Sequence, residues 1–308
     1  MLPSTEKESF VCVLSSLNLE KYDEWKDTDA VETLIYFLDA VNEEFLQKLE
    51  KFRDSDDAND NLTFEFMKRT YEFAKNHRAV GAGVLGWHSL LQSKMLPFDS
   101  QGAAKLNVEV FKNIQDKSLK ASKELAEMFE EPEVLKGYGR RNTTVNAIAP
   151  TTSSAFILGQ TSQSIEPLMS NYYIKDLAKV KAEVKNKYLV KLLEEKGFNT
   201  KEVWDSISSN DGSVQQLNFL NDHEKEVFMT FREISPMAII NQAAIRQDYI
   251  DQGQSLNILV TSDMTVKEVN KIMIDAWKMG VKSLYYQHSV NAAQDFVRNR
   301  SVCKACEA

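Results

Sequence analysis

The sequence predicts an α/β fold dominated by helix. Three observations carry that reading: long stretches with apolar residues at the helical period, short apolar segments between them, and one strand–helix–strand succession late in the chain. Val11-Cys12-Val13-Leu14 opens as a strand-like run. Residues 29–52 place Val31, Leu34, Ile35, Leu38, Val41, Phe45 and Leu49 on one helical face, with Asp27, Thr28 or Asp29 to cap its start. Residues 61–77 repeat the period through Leu62, Phe64, Phe66, Met67, Tyr71 and Phe73. Val80–Val84 and Thr144–Ile148 read as strands, and 101–130 and 174–195 as helices with a charged, solvated face. Ser255–Val260 reads as a strand, 265–279 as a helix ended by Gly280, and Ser283–Tyr286 as a second strand. That succession is a βαβ unit and implies parallel strands.

Composition narrows the class. With 308 residues, 43% of them apolar and 27% charged, the chain has the apolar content for a sizeable core and the charge of an ordinary soluble protein. A net charge of −8 argues against binding to duplex nucleic acid, which calls for a basic surface. No apolar run reaches the roughly 18 residues of a membrane span. The start lacks the basic and apolar regions of a signal peptide. Three cysteines do not suit a disulfide framework, so the expected setting is a reducing cytoplasm. With no repeat and no Pro- or Gly-rich linker, the chain reads as one continuous globular unit.

Four motifs bear on chemistry. Asn142–Ala155 contains a strand-like run ending in Ala149-Pro150, then Thr151, Thr152, Ser153 and Ser154. Free N–H groups, hydroxyl donors and the helix dipole would make this an anion site; an ordinary capped helix start has the same pattern. Arg78–Gly86 is Gly-rich but lacks the context of a dinucleotide fingerprint, and reads as close backbone packing. Tyr285-Tyr286 on a strand would place one ring in the core and one at the surface, or else form a redox-active phenol pair. Cys303 and Cys306, with two residues between them near the chain end, have the spacing of a reversible dithiol or of half a zinc site, and the redox reading is the better one. Of His77, His88, His223 and His288, none has metal-ligand spacing to a carboxylate, so no metal site is expected.

Six segments in order, Cys12–Leu19, Arg78–Gly86, Asn146–Ser154 with Gly159 and Ser164-Ile165-Glu166-Pro167, Tyr249–Asn257, Leu284–Gln287 and the cysteine pair, resemble the catalytic large subunit of class I ribonucleotide reductase. The Ser-Ile-Glu-Pro and Ile-Asp-Gln-x-Gln-Ser-x-Asn motifs are specific to that family. The likeness covers essentially the whole chain. It is only to the C-terminal part of such a subunit: the Asn-x-Cys-x-Glu loop that carries the thiyl-radical cysteine has no counterpart in residues 1–11, and the effector regions and the partner of Cys12 lie upstream in the family. The expected fold is therefore the C-terminal part of the family's α/β barrel, helix-rich and incomplete. Residues 1–290 would form the barrel part and 291–308 a flexible redox tail. Met1 suggests a separately encoded half, as in phages with a split gene; a truncated product is the other explanation.

The resemblance implies a role for each matching residue. Cys12 would be one of two thiols that reduce the substrate ribose. Pro150, Thr151, Thr152, Ser153 and Ser154 would hold the diphosphate of a nucleoside diphosphate. Tyr286 would pass a radical to Tyr285 and on to a cysteine of the upstream half. Cys303 and Cys306 would re-reduce the active-site disulfide and then exchange with thioredoxin or glutaredoxin. The stretch of about 17 residues from Tyr286 to Cys303 reaches up to roughly 55–60 Å when extended. No cofactor would be bound by this chain; the radical would come from a metal-containing small (beta) subunit. The other implied partner is the N-terminal half of the large subunit, with no nucleic acid and no membrane. The segment from Pro150 to Pro167 departs from the family by about one extra residue near Gln160–Gln163. A stand-alone thiol–disulfide protein using the tail pair leaves the Pro150 and Tyr285 segments unexplained. A non-catalytic scaffold would have lost catalytic positions that are all present here.

Overall fold

The computed structural model describes residue 2 and residues 4–177, 180–261 and 264–289. In chain order the elements are β1 (Leu14–Asn18), α1 (Tyr22–Trp25), α2 (Ala30–Arg53), α3 (Ala58–His77), β2 (Gly81–Leu85), α4 (Trp87–Ser93), α5 (Gln101–Phe129) and α6 (Thr152–Ile157). Then come β3 (Tyr172–Leu177), β4 (Val180–Lys185), α7 (Lys187–Glu195), α8 (Lys201–Ser209), α9 (Asp222–Val227), α10 (Pro236–Gln247), β5 (Ile258–Val260), α11 (Val266–Lys278) and β6 (Gln287–Ser289). Helix dominates, as the periodicity predicts. The described strands pair two by two, β1 with β2, β3 with β4 and β5 with β6, and no closed barrel forms among the described residues.

The chain divides into two compact units. Among the described residues, the first comprises those up to Val84, Val108–Pro150 and Arg246–Gln254; the second comprises Leu85–Asn107, those within Thr151–Ile245 and those from Ser255 to Ser289.

In the first unit, α2 forms where the sequence places it. The Thr28 hydroxyl accepts the Ala30 N–H at 3.3 Å, and Val31, Ile35, Leu38, Leu46 and Leu49 are buried. One apolar cluster joins Val13, Ile35, Leu38, Val80, Ala82, Ala121, Leu125 and Val145. A second joins Leu46 and Leu49 of α2 to Phe64, Tyr71 and Ala74 of α3. The glycines of β2 are there for close approach. A Cβ on Gly81 would stand 2.4 Å from Leu14 Cδ2 and 2.7 Å from Ala147 Cβ, and one on Gly83 would stand 2.4 Å from the Ala147 carbonyl oxygen. The backbone-packing reading of Arg78–Gly86 is correct.

Residues 144–148 are not a continuous strand. They make isolated parallel bridges, Ala82 with Asn146 and Ile148 with Gln254. The second bridge explains the Ile-Asp-Gln-x-Gln segment. Asp251 accepts the Val145 N–H at 2.6 Å, and Gln252 Nε2 donates to the Val80 carbonyl at 3.2 Å and to Thr144 Oγ1 at 2.9 Å. This motif is a polar staple across the ladder.

The second unit is built on Leu189, Leu193, Trp204, Ile207, Val214, Leu217, Leu220, Val227 and Phe228. Here one expectation fails. Residues 174–195 are not one helix: β3 and β4 form an antiparallel hairpin from Tyr172↔Lys185 to Leu177↔Val180, and α7 starts only at Lys187. The aromatic and β-branched residues Tyr172, Tyr173, Ile174, Val180 and Val184 favour strand. Asn186 then caps α7 by accepting the Tyr188 N–H at 3.1 Å. The late strand–helix–strand unit is present and parallel, with Ile258↔Gln287, Leu259↔His288 and Val260↔Ser289 in register. Thr265 and Glu268 form a capping box at the start of α11, and Gly280 follows it at φ 81°.

Candidate functional site

Tyr285 and Tyr286 are not on a strand. They precede β6, which begins at Gln287, four residues later than the Ser283 start that the sequence pattern gives. They are therefore not divided between core and surface: both are exposed, at 48% and 58%. Their ring centroids lie 4.2 Å apart with planes tilted by 56°. A hydrogen bond with the Tyr286 phenol, and the proximity of that phenol, hold the Tyr285 hydroxyl above its ordinary pKa. The backbone fixes the pair against the segment entering β5. Tyr285 N–H donates to the Leu256 carbonyl at 2.9 Å, and the Tyr286 carbonyl accepts from Ile258 N–H at 3.0 Å. Two hydrogen-bonded phenols in tilted ring contact can exchange an electron through that contact and a proton through the shared bond.

The hydroxyl-rich segment folds into the six-residue α6. Thr151 is its N-cap residue by position, but its side chain is turned elsewhere: Thr151 Oγ1 accepts the Ser164 N–H at 2.7 Å. Thr152 Oγ1 donates to Gln163 Oε1 at 2.9 Å. Thr152, Ser153 and Ser154 are exposed, as is Pro150. The ordinary capped-helix reading thus fails in its detail, because no side chain caps the first turn of α6.

The Ser-Ile-Glu-Pro segment is stitched to the start of α4. Gly86 N–H donates to the Ser162 carbonyl at 2.8 Å and Trp87 N–H to the Ser164 carbonyl at 3.2 Å. Ser89 and Ser162 bond reciprocally, each hydroxyl accepting the other's N–H, at 2.8 and 3.1 Å. Ser164 itself is held at φ 45°, an uncommon conformation for a residue with a Cβ.

Two residues that the motifs contain, but to which no role was attached, meet here. Asn257 Nδ2 donates to Glu166 Oε1 at 2.6 Å, and Asn257 Oδ1 accepts the Tyr286 N–H at 3.1 Å. Both side chains are about nine-tenths buried. Burial pushes the Glu166 carboxyl up to about 7, against the downward pull of the bond from Asn257. The only trace of this in the sequence is an acid in one motif and an amide in another.

Cys12 lies in the first unit, exposed, immediately before the buried Val13. Cys303 and Cys306 lie outside the described residues. His88 is a core residue. Its Nδ1 accepts the Leu168 N–H at 2.9 Å, and burial pushes its pKa down to about 3, so the ring is neutral. Among the described residues no group of three or more His, Cys, Asp or Glu side chains could hold a metal ion, and no helix is long and apolar enough to cross a membrane.

The family described as "Ribonucleotide reductase, barrel domain" matches residues 1–133 and 130–287. The "Ribonucleoside-diphosphate reductase large subunit" of Invertebrate iridescent virus 6 is 40% identical over 299 residues, which are 95% of this chain and 30% of that protein. The protein of the same description from Invertebrate iridescent virus 3 is 38% identical over 293 residues, 94% of this chain and 44% of that one. Among solved structures, the "Actinobacillus ureae class Id ribonucleotide reductase alpha subunit" is similar at a TM-score of 0.85 and 53% identity, over 96% of this chain and 52% of that chain. The chain spans about half or less of the length of these relatives.

Proposed function

This chain belongs to the ribonucleotide reductase barrel family, and from that premise we propose that it carries the C-terminal part of a ribonucleoside-diphosphate reductase large-subunit active site. It works with the upstream part of that subunit and with a small subunit that supplies the radical. The observation that carries this reading is the Tyr285–Tyr286 couple, exposed and in ring contact at 4.2 Å. Exposure suits a pair that must receive a radical from another polypeptide. The shared hydrogen bond suits one that must move a proton with each electron.

The remaining residues have matching tasks. Thr152, Ser153 and Ser154 present hydroxyls, and the first turn of α6 presents backbone N–H groups, to the diphosphate of the substrate. Cys12 supplies one thiol of the reducing pair and the upstream part of the subunit supplies the other. Removing the ribose 2′ oxygen as water and leaving a C–H bond takes two electrons and two protons. The dithiol gives up both and closes to a disulfide. Cys303 and Cys306 then reduce that disulfide by thiol exchange and are themselves reduced by thioredoxin or glutaredoxin. The proposed setting is the cytoplasm.

Reconstitution tests the proposal. The chain is mixed with the upstream part of the subunit and a radical-bearing small subunit, and reduction of a nucleoside diphosphate is followed. Deoxynucleotide formation that requires all three polypeptides is the expected result. Formation by this chain and the small subunit alone would overturn the division of the site, and no formation by any combination would overturn the function.

A further inference from the structure

We propose that Asn257, oriented by Glu166, is the positioning residue that holds the Tyr285–Tyr286 couple in register. The inference rests on the functional reading above only in what the couple is for; the clasp itself is argued from contacts within the second unit.

A side-chain amide has one donating end and one accepting end. At Asn257 both are used, and for different purposes. Nδ2 faces Glu166 Oε1 at 2.6 Å, and Oδ1 faces the Tyr286 N–H at 3.1 Å. Turning the amide over would set oxygen against carboxyl oxygen and NH2 against N–H, and both bonds would be lost. Glu166 therefore selects the orientation in which Asn257 can receive Tyr286. The carboxyl is itself well placed for this: it sits in the Ser-Ile-Glu-Pro segment, which together with the preceding Ser162 is tied to the start of α4 by four hydrogen bonds.

The clasp supplies the one partner that the two backbone bonds to the segment entering β5 leave out, that of the Tyr286 N–H. The regular ladder between β5 and β6 begins only at Ile258 and Gln287. Tyr285 reaches the Leu256 carbonyl and the Tyr286 carbonyl receives Ile258 N–H, but the Tyr286 N–H goes to a side chain. Both rings are about half exposed and gain little from core packing. A single buried amide thus sets the backbone of the residue whose ring must stay against Tyr285. Asn257 acts on the couple through the Tyr286 backbone N–H and is a positioning residue, not a catalytic one.

The test uses the full chain and needs no turnover. Backbone ¹⁵N-tyrosine labelling, with Tyr286 assigned from its loss in Tyr286→Phe, reads the Tyr286 amide by hydrogen exchange. Tyrosine ring ¹³C labelling reads the Tyr285 phenol by pH titration. Asn257→Leu and Glu166→Leu should speed Tyr286 exchange at least about tenfold and lower the Tyr285 titration toward the ordinary tyrosine value of about 10. Glu166→Gln keeps an acceptor for Nδ2 and should restore both readings to within about threefold and a few tenths of a pH unit of wild type. Asn257→Ser, a smaller change, stands in if the leucine variants do not fold, with the same expected direction. Unchanged Tyr286 exchange in Asn257→Leu or Asn257→Ser would overturn the clasp. Failure of Glu166→Gln to restore what Glu166→Leu removes would overturn the orienting role of Glu166. A chain that clasps its tyrosines yet supports no reductase activity in reconstitution would overturn the functional reading and leave the clasp standing.

Discussion

Glu166 and Asn257, 91 residues apart in sequence, share a 2.6 Å hydrogen bond in a site that is nearly closed to solvent. The bond favours the ionised carboxylate, while burial disfavours it, and burial prevails: the carboxyl is pushed up to about 7 from an ordinary 4.5. Two motifs that look independent along the chain are thus one polar unit in space.

That balance makes stability depend on pH with a definite sign. A carboxyl whose folded pKa is raised binds its proton more tightly when folded. Its stabilising effect is complete below about pH 4.5 and is lost as pH rises through about 7. The span corresponds to a loss on the order of 3 kcal/mol. Glu166→Gln has no charge to bury, so relative to wild type it should gain stability between pH 5 and 8 and match it more closely near pH 4. Urea unfolding at a series of pH values checks this. A difference between the two proteins that does not change with pH would refute it.

Asp39 shows the opposite outcome of the same contest. Burial would raise its carboxyl, but Arg78 grips both oxygens at 2.9 Å, Arg141 Nε reaches Oδ2 at 3.1 Å, and Asn142 Nδ2 reaches Oδ1 at 3.0 Å. Together they hold the carboxyl below its ordinary range. Arg78→Ala removes the fork and leaves the buried Asp39 charge to Arg141 and Asn142 alone, which should cost about 3 kcal/mol near neutral pH. A carboxyl with a depressed folded pKa stabilises above its unfolded value and loses that contribution as pH falls. The gap between wild type and Arg78→Ala should therefore narrow as pH drops below about 4. Guanidinium unfolding at pH 7 and pH 3.5 measures it, and a gap of equal size at both would rule out the charge argument.

Gly83 is predicted to be irreplaceable for a steric reason. The Ala147 carbonyl oxygen that a Cβ would meet at 2.4 Å is backbone, fixed by the bond from Ala147 N–H to the Ala82 carbonyl at 3.2 Å. It cannot rotate away as a side chain can. Gly83→Ala should cost about 2 kcal/mol. Gly102→Ala serves as the control, because its nearest neighbour is the end of the Leu96 side chain, which can shift. Thermal unfolding of both variants decides it, and equal effects would show that the β2 contact is not the tight one.

These relationships also show what can be seen in a linear sequence. The long helices α2, α5 and α11 were visible because burial on one face leaves a 3.6-residue period. The parallel β5–β6 pair was visible because a crossover helix needs strands on both sides. The hairpin at Tyr172–Lys185 lies largely within the 174–195 stretch that the sequence pattern reads as helix, because its strand alternation is short. The tyrosine couple is legible as a dipeptide but not as two exposed rings, since that depends on the ladder starting after the pair, at Gln287, instead of at Ser283. The bond between Glu166 and Asn257 has no local signature at all. Nothing in either neighbourhood announces a partner 91 positions away.

Radical transfer and thiol reduction, the two chemistries proposed for the chain, are separable by single substitutions. In the reconstituted enzyme, Tyr285→Phe removes the phenol that shares a proton with Tyr286 but leaves the ring and its 4.2 Å contact. Phenylalanine cannot release a proton as it is oxidised, so radical transfer should fall by at least about a thousandfold, roughly 4 kcal/mol in the barrier. Cys12→Ser acts elsewhere. The radical can still be generated, but the dithiol cannot form, so deoxynucleotide formation should cease while loss of the small-subunit radical on substrate addition persists. Cys303→Ser should stop turnover driven by thioredoxin and spare turnover driven by a small dithiol, which can reach the exposed Cys12 without the tail. Steady-state assays with each reductant, read beside the radical signal in electron paramagnetic resonance, give three different patterns. Identical behaviour of Tyr285→Phe and Cys12→Ser in the radical signal would mean that the tyrosines do not lie on the path to the thiols.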